Sequence, residues 1–207
     1  MKRKFKRALI IILILILLII IGSYAWTTYK NESDNKEFKE VLKNASDIEN
    51  VTDKTYYDIH KIGSITADDY IQIENSISEN TSKEINMLKQ FRDKTFNQTQ
   101  KEYINIEINR LEKEELHHKK AADVGSQYKR YLNGEITAKH YIDIREISNN
   151  DTKITEHDLG VIKDEAITYI KNHPELKQTL EEINIDEDFY TNEMGGTGGS
   201  GQLYFKK

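Results

Sequence analysis

The stretch Ser82-Lys-Glu-Ile85-Asn-Met-Leu88-Lys-Gln-Phe91, followed by Tyr103-Ile104-Asn105-Ile106-Glu107-Ile108-Asn-Arg-Leu111, decides the fold class. Apolar residues recur at three and four through Ile85, Leu88, Phe91, the Thr95 or Phe96 position, Tyr103 or Ile104, Ile108 and Leu111. The stripe continues at Ala121, Ala122, Tyr128 and Leu132. Lys, Glu, Gln and Asn fill the positions between, which predicts an amphipathic helix over 82–132. Unbroken, such a helix is about 75 Å long, with 97–100 and Gly125 as candidate breaks. The hexapeptide 103–108 alternates apolar and polar as a strand does. Helical sequence rich in Glu and Lys flanks it on both sides, so it too reads as helix.

A narrow stripe of that length needs other helices to cover it. Helical spacing predicts them near 33–48, 52–62, 66–78, 137–147 and 155–182. Ser46 with Glu49, Thr81 with Glu84, Thr66 with Asp69 and Thr155 with Asp158 have the spacing of capping boxes. Pro174 kinks or restarts the last helix. The expected architecture is all-α: an elongated antiparallel helical bundle with helix–turn–helix corners, occupying 27–193.

Two of those corners resemble each other. Gly63-Ser-Ile65-Thr66-Ala-Asp-Asp-Tyr70-Ile-Gln-Ile73 matches Gly134-Glu-Ile136-Thr137-Ala-Lys-His-Tyr141-Ile-Asp-Ile144. In each, Gly63 or Gly134 ends one helix in the left-handed region and Thr66 or Thr137 caps the next. Ile65 packs on Tyr70, and Ile136 on Tyr141, as a hydrophobic staple. Duplication and convergence explain the likeness equally well.

Toward the amino terminus, Lys2, Arg3, Lys4, Lys6 and Arg7 precede an uninterrupted apolar run over 8–22, followed by Tyr24 and Trp26. As a helix, 8–26 spans roughly 28 Å, close to the thickness of a bilayer core. The basic start sets the N-terminus inside, and the two aromatics suit the interface. Residues 1–7 are then a cytoplasmic stub and 8–26 a transmembrane anchor. The alternative is a signal peptide cleaved after Ala25, since Ser23-Tyr24-Ala25 has small residues at the required positions. Both readings export the remainder of the chain.

Residues 27–207 hold 25 Lys or Arg against 35 Asp or Glu. Such an acidic domain has no electrostatic grip on nucleic acid, which is not expected as a partner. The absence of Cys excludes disulfides, thiolate metal sites and cysteine nucleophiles. An exported chain without Cys and rich in Lys, Asn, Ile and Glu suggests a bacterial envelope. Between residues 22 and 195 the glycines are isolated, so no phosphate loop, dinucleotide turn or nucleophile elbow is present.

His117-His118 after Glu114-Glu115 is the one arrangement resembling a metal cluster. It lacks a third ligand by motif and reads as a solvated helix face. No catalytic or metal-binding residue and no cofactor is expected. The Gly-rich segment 194–201 and the terminal Gln202-Leu-Tyr-Phe-Lys-Lys207 read as a flexible tail or as a tethered hook. The expected role is non-enzymatic: an interaction, scaffold or accessory protein of the envelope, bound to the membrane by its N-terminal helix and to an envelope protein or a second copy by its bundle. The alternatives are a secreted helical effector or surface-binding protein and, in another class, an envelope hydrolase using an unrecognised carboxylate site.

Overall fold

The computed structural model describes residues 2–62, 64–185 and 204–205, with side chains at 15–52, 54 and 65–185. These residues are almost wholly helical: α1 (Lys2–Ile62), α2 (Ala67–Lys94), α3 (Gln98–Leu132), α4 (Ala138–Asn172) and α5 (Pro174–Glu181). Two short strands, β1 (Ser64–Ile65) and β2 (Tyr204–Phe205), pair in parallel with Ser64 opposite Tyr204 and Ile65 opposite Phe205. The Tyr204–Phe205 pair of the terminal segment therefore returns to its own chain. Gly63, the linker 194–201 and the acidic stretch 186–188 lie outside the described residues.

Cross-links fix the directions. Asp68 meets Lys129, Lys89 meets Glu112, Ser82 meets Glu115 and Arg92 meets Asn105, so α2 and α3 form an antiparallel hairpin. Asp151 meets Lys120, Asp158 meets Lys113 and Tyr169 meets Glu102, which sets α4 antiparallel on α3. The second half of α1 completes the bundle, antiparallel to α2 and parallel to α3: Phe38 lies 5.6 Å from Phe91, and Asn35 accepts from Gln100. α5 closes one side with Leu176 and Leu180, and Lys39 of α1 pairs with Glu182 just after it. The core is Phe38, Leu42, Leu88, Phe91, Tyr103, Ile104 and Leu111, joined by Ala166 and Ile170.

Several expected boundaries move. The segments 33–48 and 52–62 are one uninterrupted helix within α1, 66–78 runs on to Lys94, and 137–147 joins the next segment as far as Asn172. The Ser46, Thr81 and Thr155 capping boxes are therefore interior. A cap is a local preference of about 0.5–2 kcal/mol, and here the apolar stripe continues past each one. Thr81 and Thr155 instead donate to Ile77 O and Asp151 O, one turn back. Of the two candidate breaks in 82–132, the chain breaks at 95–97, with Thr95 closing α2 and Asn97 capping α3 through Gln100 N. Helix α3 runs straight through Gly125. A Cβ there would sit 2.8 Å from Ile71 Cγ1 and 3.0 Å from Tyr70 Cδ1, so the missing side chain lets α2 approach. Pro174 restarts the chain as α5, in the first turn where its absent N–H is not needed.

At the second corner Gly134 has φ +74°, Gly134 N donates to Tyr131 O and Glu135 N to Arg130 O, the two bonds of a Schellman ending. Thr137 then accepts from His140 N at 3.2 Å. At the first corner Thr66 accepts from Asp69 N at 3.1 Å and donates to the Asp69 carboxylate at 2.6 Å. Ile65 is buried, while Tyr70, Ile136 and Tyr141 are half-buried. Tyr141 stacks on Tyr131 at 5.7 Å and meets Tyr128 at 5.4 Å. Both corners lie at the end of the bundle opposite to residues 95–97.

Candidate functional site

The most concentrated chemistry is an ionic cluster inside the bundle. Glu107, Arg110 and Glu114 recur at three and four on α3, which stacks them along the face turned toward α1. Arg110 is 3% exposed. Its guanidinium donates to Glu107 at 3.0 Å, to Glu114 at 2.9 Å and to both oxygens of Glu49 on α1 at 2.8 and 3.1 Å. Burial opposes its charge, but Glu114, Glu49 and Glu107 together outweigh that and hold its pKa well above the ordinary value. One cation thus faces three carboxylates. Burial, reinforced by the Glu49 charge, pushes the Glu114 carboxyl up to about 7 against the pull of Arg110 and His118.

The adjoining cavity measures ≈ 20 Å³ and is bordered by Glu84, Tyr103 and Leu111 as well as Glu49, Glu107 and Arg110. That is room for one water molecule. Chemically the cluster is able to bind α1 to α3 and to hold a proton near neutral pH.

One turn further along α3, His118 Nδ1 lies 2.7 Å from the Glu74 carboxylate on α2, which is itself buried. Burial, then the neighbouring His118, lowers the pKa of His117. The expected solvated face at His117-His118 is thus corrected: α2 packs against it. The described residues bring together no group of three His, Asp or Glu placed to hold a metal ion. Motif spacing singles out neither Arg110 nor Glu74. An arginine beside Leu111 and three residues after Glu107, on the apolar side of the stripe, is a visible signal for the first. Glu74 has none, because its partner lies 44 residues away.

A second feature is external. On α4, the edge helix of the bundle, Ile147, Ile154 and Val161 recur every seven residues and are 65%, 53% and 55% exposed. Leu116 of α3 is 46% exposed, and its level falls between the Lys113–Asp158 and Lys120–Asp151 ion pairs, beside that stripe. The same side of α3 and α4 has an open groove of ≈ 280 Å³ lined by Asn105, Ile106, Asn109 and Glu165, and ended by Glu102 and Tyr169. Tyr169 donates to Glu102 at 2.9 Å. Burial and that acceptor push the phenol up to about 12, and bonds from Gln98 and Tyr169 lower the Glu102 carboxyl.

The third feature is the exposed stretch of α1 over residues 15–29. Residues 15–21 are all Ile or Leu, and each is 47–70% exposed, so this stretch of helix is apolar all round and none of its side chains is buried by the described residues. Tyr24, Trp26 and Tyr29 come next, also exposed. Lys2, Arg3, Lys4, Lys6 and Arg7 belong to the same helix, with side chains outside the described residues. Among the described residues, no helix is long and apolar enough to cross a membrane. The side chains of the run over 8–22 are described only from Leu15 onward. No protein-family model, curated protein or solved structure matches this chain.

Proposed function

We propose that the chain is a single-pass membrane protein, N-terminus inside, whose exported helical bundle binds a partner in a bacterial envelope as an interaction, scaffold or accessory component. One observation carries the reading. The helix whose second half supplies Phe38 and Leu42 to the core has, at residues 15–21, Ile and Leu on every side that the described residues leave exposed. A helix apolar all round belongs in a buried or lipid environment, where each central Leu or Ile contributes about −0.3 to −0.6 kcal/mol to insertion. The five basic residues and the Tyr24, Trp26 and Tyr29 group supply the orientation and the interfacial anchor.

The Ile147, Ile154 and Val161 stripe is the surface offered to a partner helix, an envelope protein or a second copy. The hydrolase reading has its carboxylates around Arg110, but the cavity that Glu49 and Glu107 border has room for a single water and none for a substrate, which favours binding over hydrolysis. Protease added to wall-stripped cells tests the orientation. The bundle should be digested in intact cells and the N-terminal fragment should stay with the membrane. Survival of the bundle until lysis would sink the reading, and recovery of a bundle lacking 1–25 from the medium would support cleavage after Ala25. A photo-crosslinker at Ile154 in living cells tests the surface: a discrete adduct supports it, and its loss on moving the probe to the opposite face would localise it.

A further inference from the structure

We infer that the turn between α2 and α3 is a second membrane contact, with Phe96 seated in the interfacial layer of the bilayer that α1 enters. The inference rests on the anchoring proposed above. Phe96 is 78% exposed, the largest exposure among the described large apolar residues. A single exposed aromatic needs no explanation by itself; its level along α1 does. The Phe96 amide donates to the Asp34 carboxylate at 3.3 Å, and the Lys30 ammonium lies 5.5 Å from the ring centroid. The ring is therefore held between residues 30 and 34 of α1.

From Trp26 to Lys30 a helix rises about 6 Å, and to Asp34 about 12 Å. With Trp26 at the edge of the hydrocarbon, the headgroup region on that side extends roughly 5–8 Å further. Lys30 Nζ also lies 3.8 Å from Asp34 Oδ1, so the ammonium and the ring it covers sit between the levels of Lys30 and Asp34. A tilt of about 20° moves a group beside the axis by only a few ångströms. The exposed ring thus reaches the outer part of the headgroup layer, where an aromatic with a nearby cation is at home.

The turn itself is firm. Asp34, 5% exposed, accepts from the Thr95 hydroxyl as well as from the Phe96 amide, and Asn97 caps α3. Phe96 is the one residue of 95–97 that neither caps nor packs inward. The charges around it nearly balance, with Lys30, Arg92 and Lys94 against Asp34, Asp93 and Glu37. Contact therefore depends on the ring and needs no anionic lipid. Its consequence is orientational: a bundle held at both α1 and Phe96 stands fixed over the membrane, and its opposite end, with the two corners, points away.

Trp26 is the only tryptophan, which makes the test direct. The full chain is placed in nanodiscs of phosphatidylcholine brominated high on its acyl chains, and tryptophan quenching is measured for three proteins. These are the native chain, Phe96→Trp with Trp26→Phe, and Leu132→Trp with Trp26→Phe. The expected result is loss of fluorescence for Trp26 and for Phe96→Trp, with a blue-shifted emission for the latter, and none for Leu132→Trp. Quenching at Trp26 without quenching in the Phe96→Trp protein would overturn the second contact and leave the anchor standing. Quenching at neither would overturn both. Quenching in the Leu132→Trp protein would mean that the bundle lies along the surface, and would overturn its upright orientation.

Discussion

Replacing Glu114 by Gln should flatten the pH dependence of stability between about pH 5 and pH 8. The carboxyl is raised to about 7 in the fold and returns to its ordinary range, near 4.3, in the unfolded chain. Between those values the native state holds a proton that the unfolded state has released. Stability from this group is complete below the unfolded pKa and falls as pH rises through the folded one. At about 1.4 kcal/mol per unit, the loss from about pH 5 to about pH 8 is of the order of 2–3 kcal/mol, or roughly 5–10 °C in melting temperature for a chain of this size. Glutamine keeps the volume and an acceptor for Arg110 but has no proton to lose. His117, lowered by burial, acts in the opposite direction below its ordinary pKa and does so in both proteins. The difference between the two melting curves therefore removes the shared background and reports Glu114 together with Arg110, Glu49 and His118, which all face it. Melting is followed by circular dichroism of the detergent-solubilised chain across the pH range. Parallel curves for the native and Gln proteins would refute the raised carboxyl.

His118→Ala removes the group 2.7 Å from buried Glu74 and should cost about 1–3 kcal/mol in urea unfolding, where a solvated histidine would cost nothing measurable. Gly125→Ala should destabilise by about 1–3 kcal/mol, because its Cβ meets Ile71 and Tyr70. Gly160→Ala on α4, with nothing within 4 Å, should instead stabilise by up to about 1 kcal/mol; the same sign for both in thermal melts would contradict the packing. At Gly134, with φ +74°, Asn should be tolerated better than Val, and equal melting temperatures would rule out the left-handed ending.

The helical class was legible because Ile85, Leu88, Phe91, Ile104, Ile108 and Leu111 keep their spacing over many turns, and burial on one face enforces that period. Gly134, Thr137 and Pro174 were legible for a different reason: their backbone chemistry is local, so the sequence window contains the whole cause. Helix joints were less so. Ser46, Thr81 and Thr155 look like starts, but whether a hydroxyl caps or bonds one turn back depends on what the next turn buries. The Arg110 cluster needed Glu49, which is 61 residues away on another helix. The Glu74 and His118 pair needed the α2–α3 register, and Gly125 read as a break when its lack of a side chain is what admits Ile71. Each miss concerns a contact between helices, which periodicity along one helix does not encode.

The central claim is that α1 crosses the membrane with the bundle outside, and the absence of native cysteine allows a direct measurement. Single cysteines are placed at Lys4 and at Glu135, an exposed position in the turn before α4, and intact wall-stripped cells are treated with a membrane-impermeant maleimide. Labelling is expected for Glu135→Cys in intact cells and for Lys4→Cys only after permeabilisation. Labelling of Lys4→Cys but not Glu135→Cys in intact cells, or recovery of the whole chain in the soluble fraction, would contradict the claim.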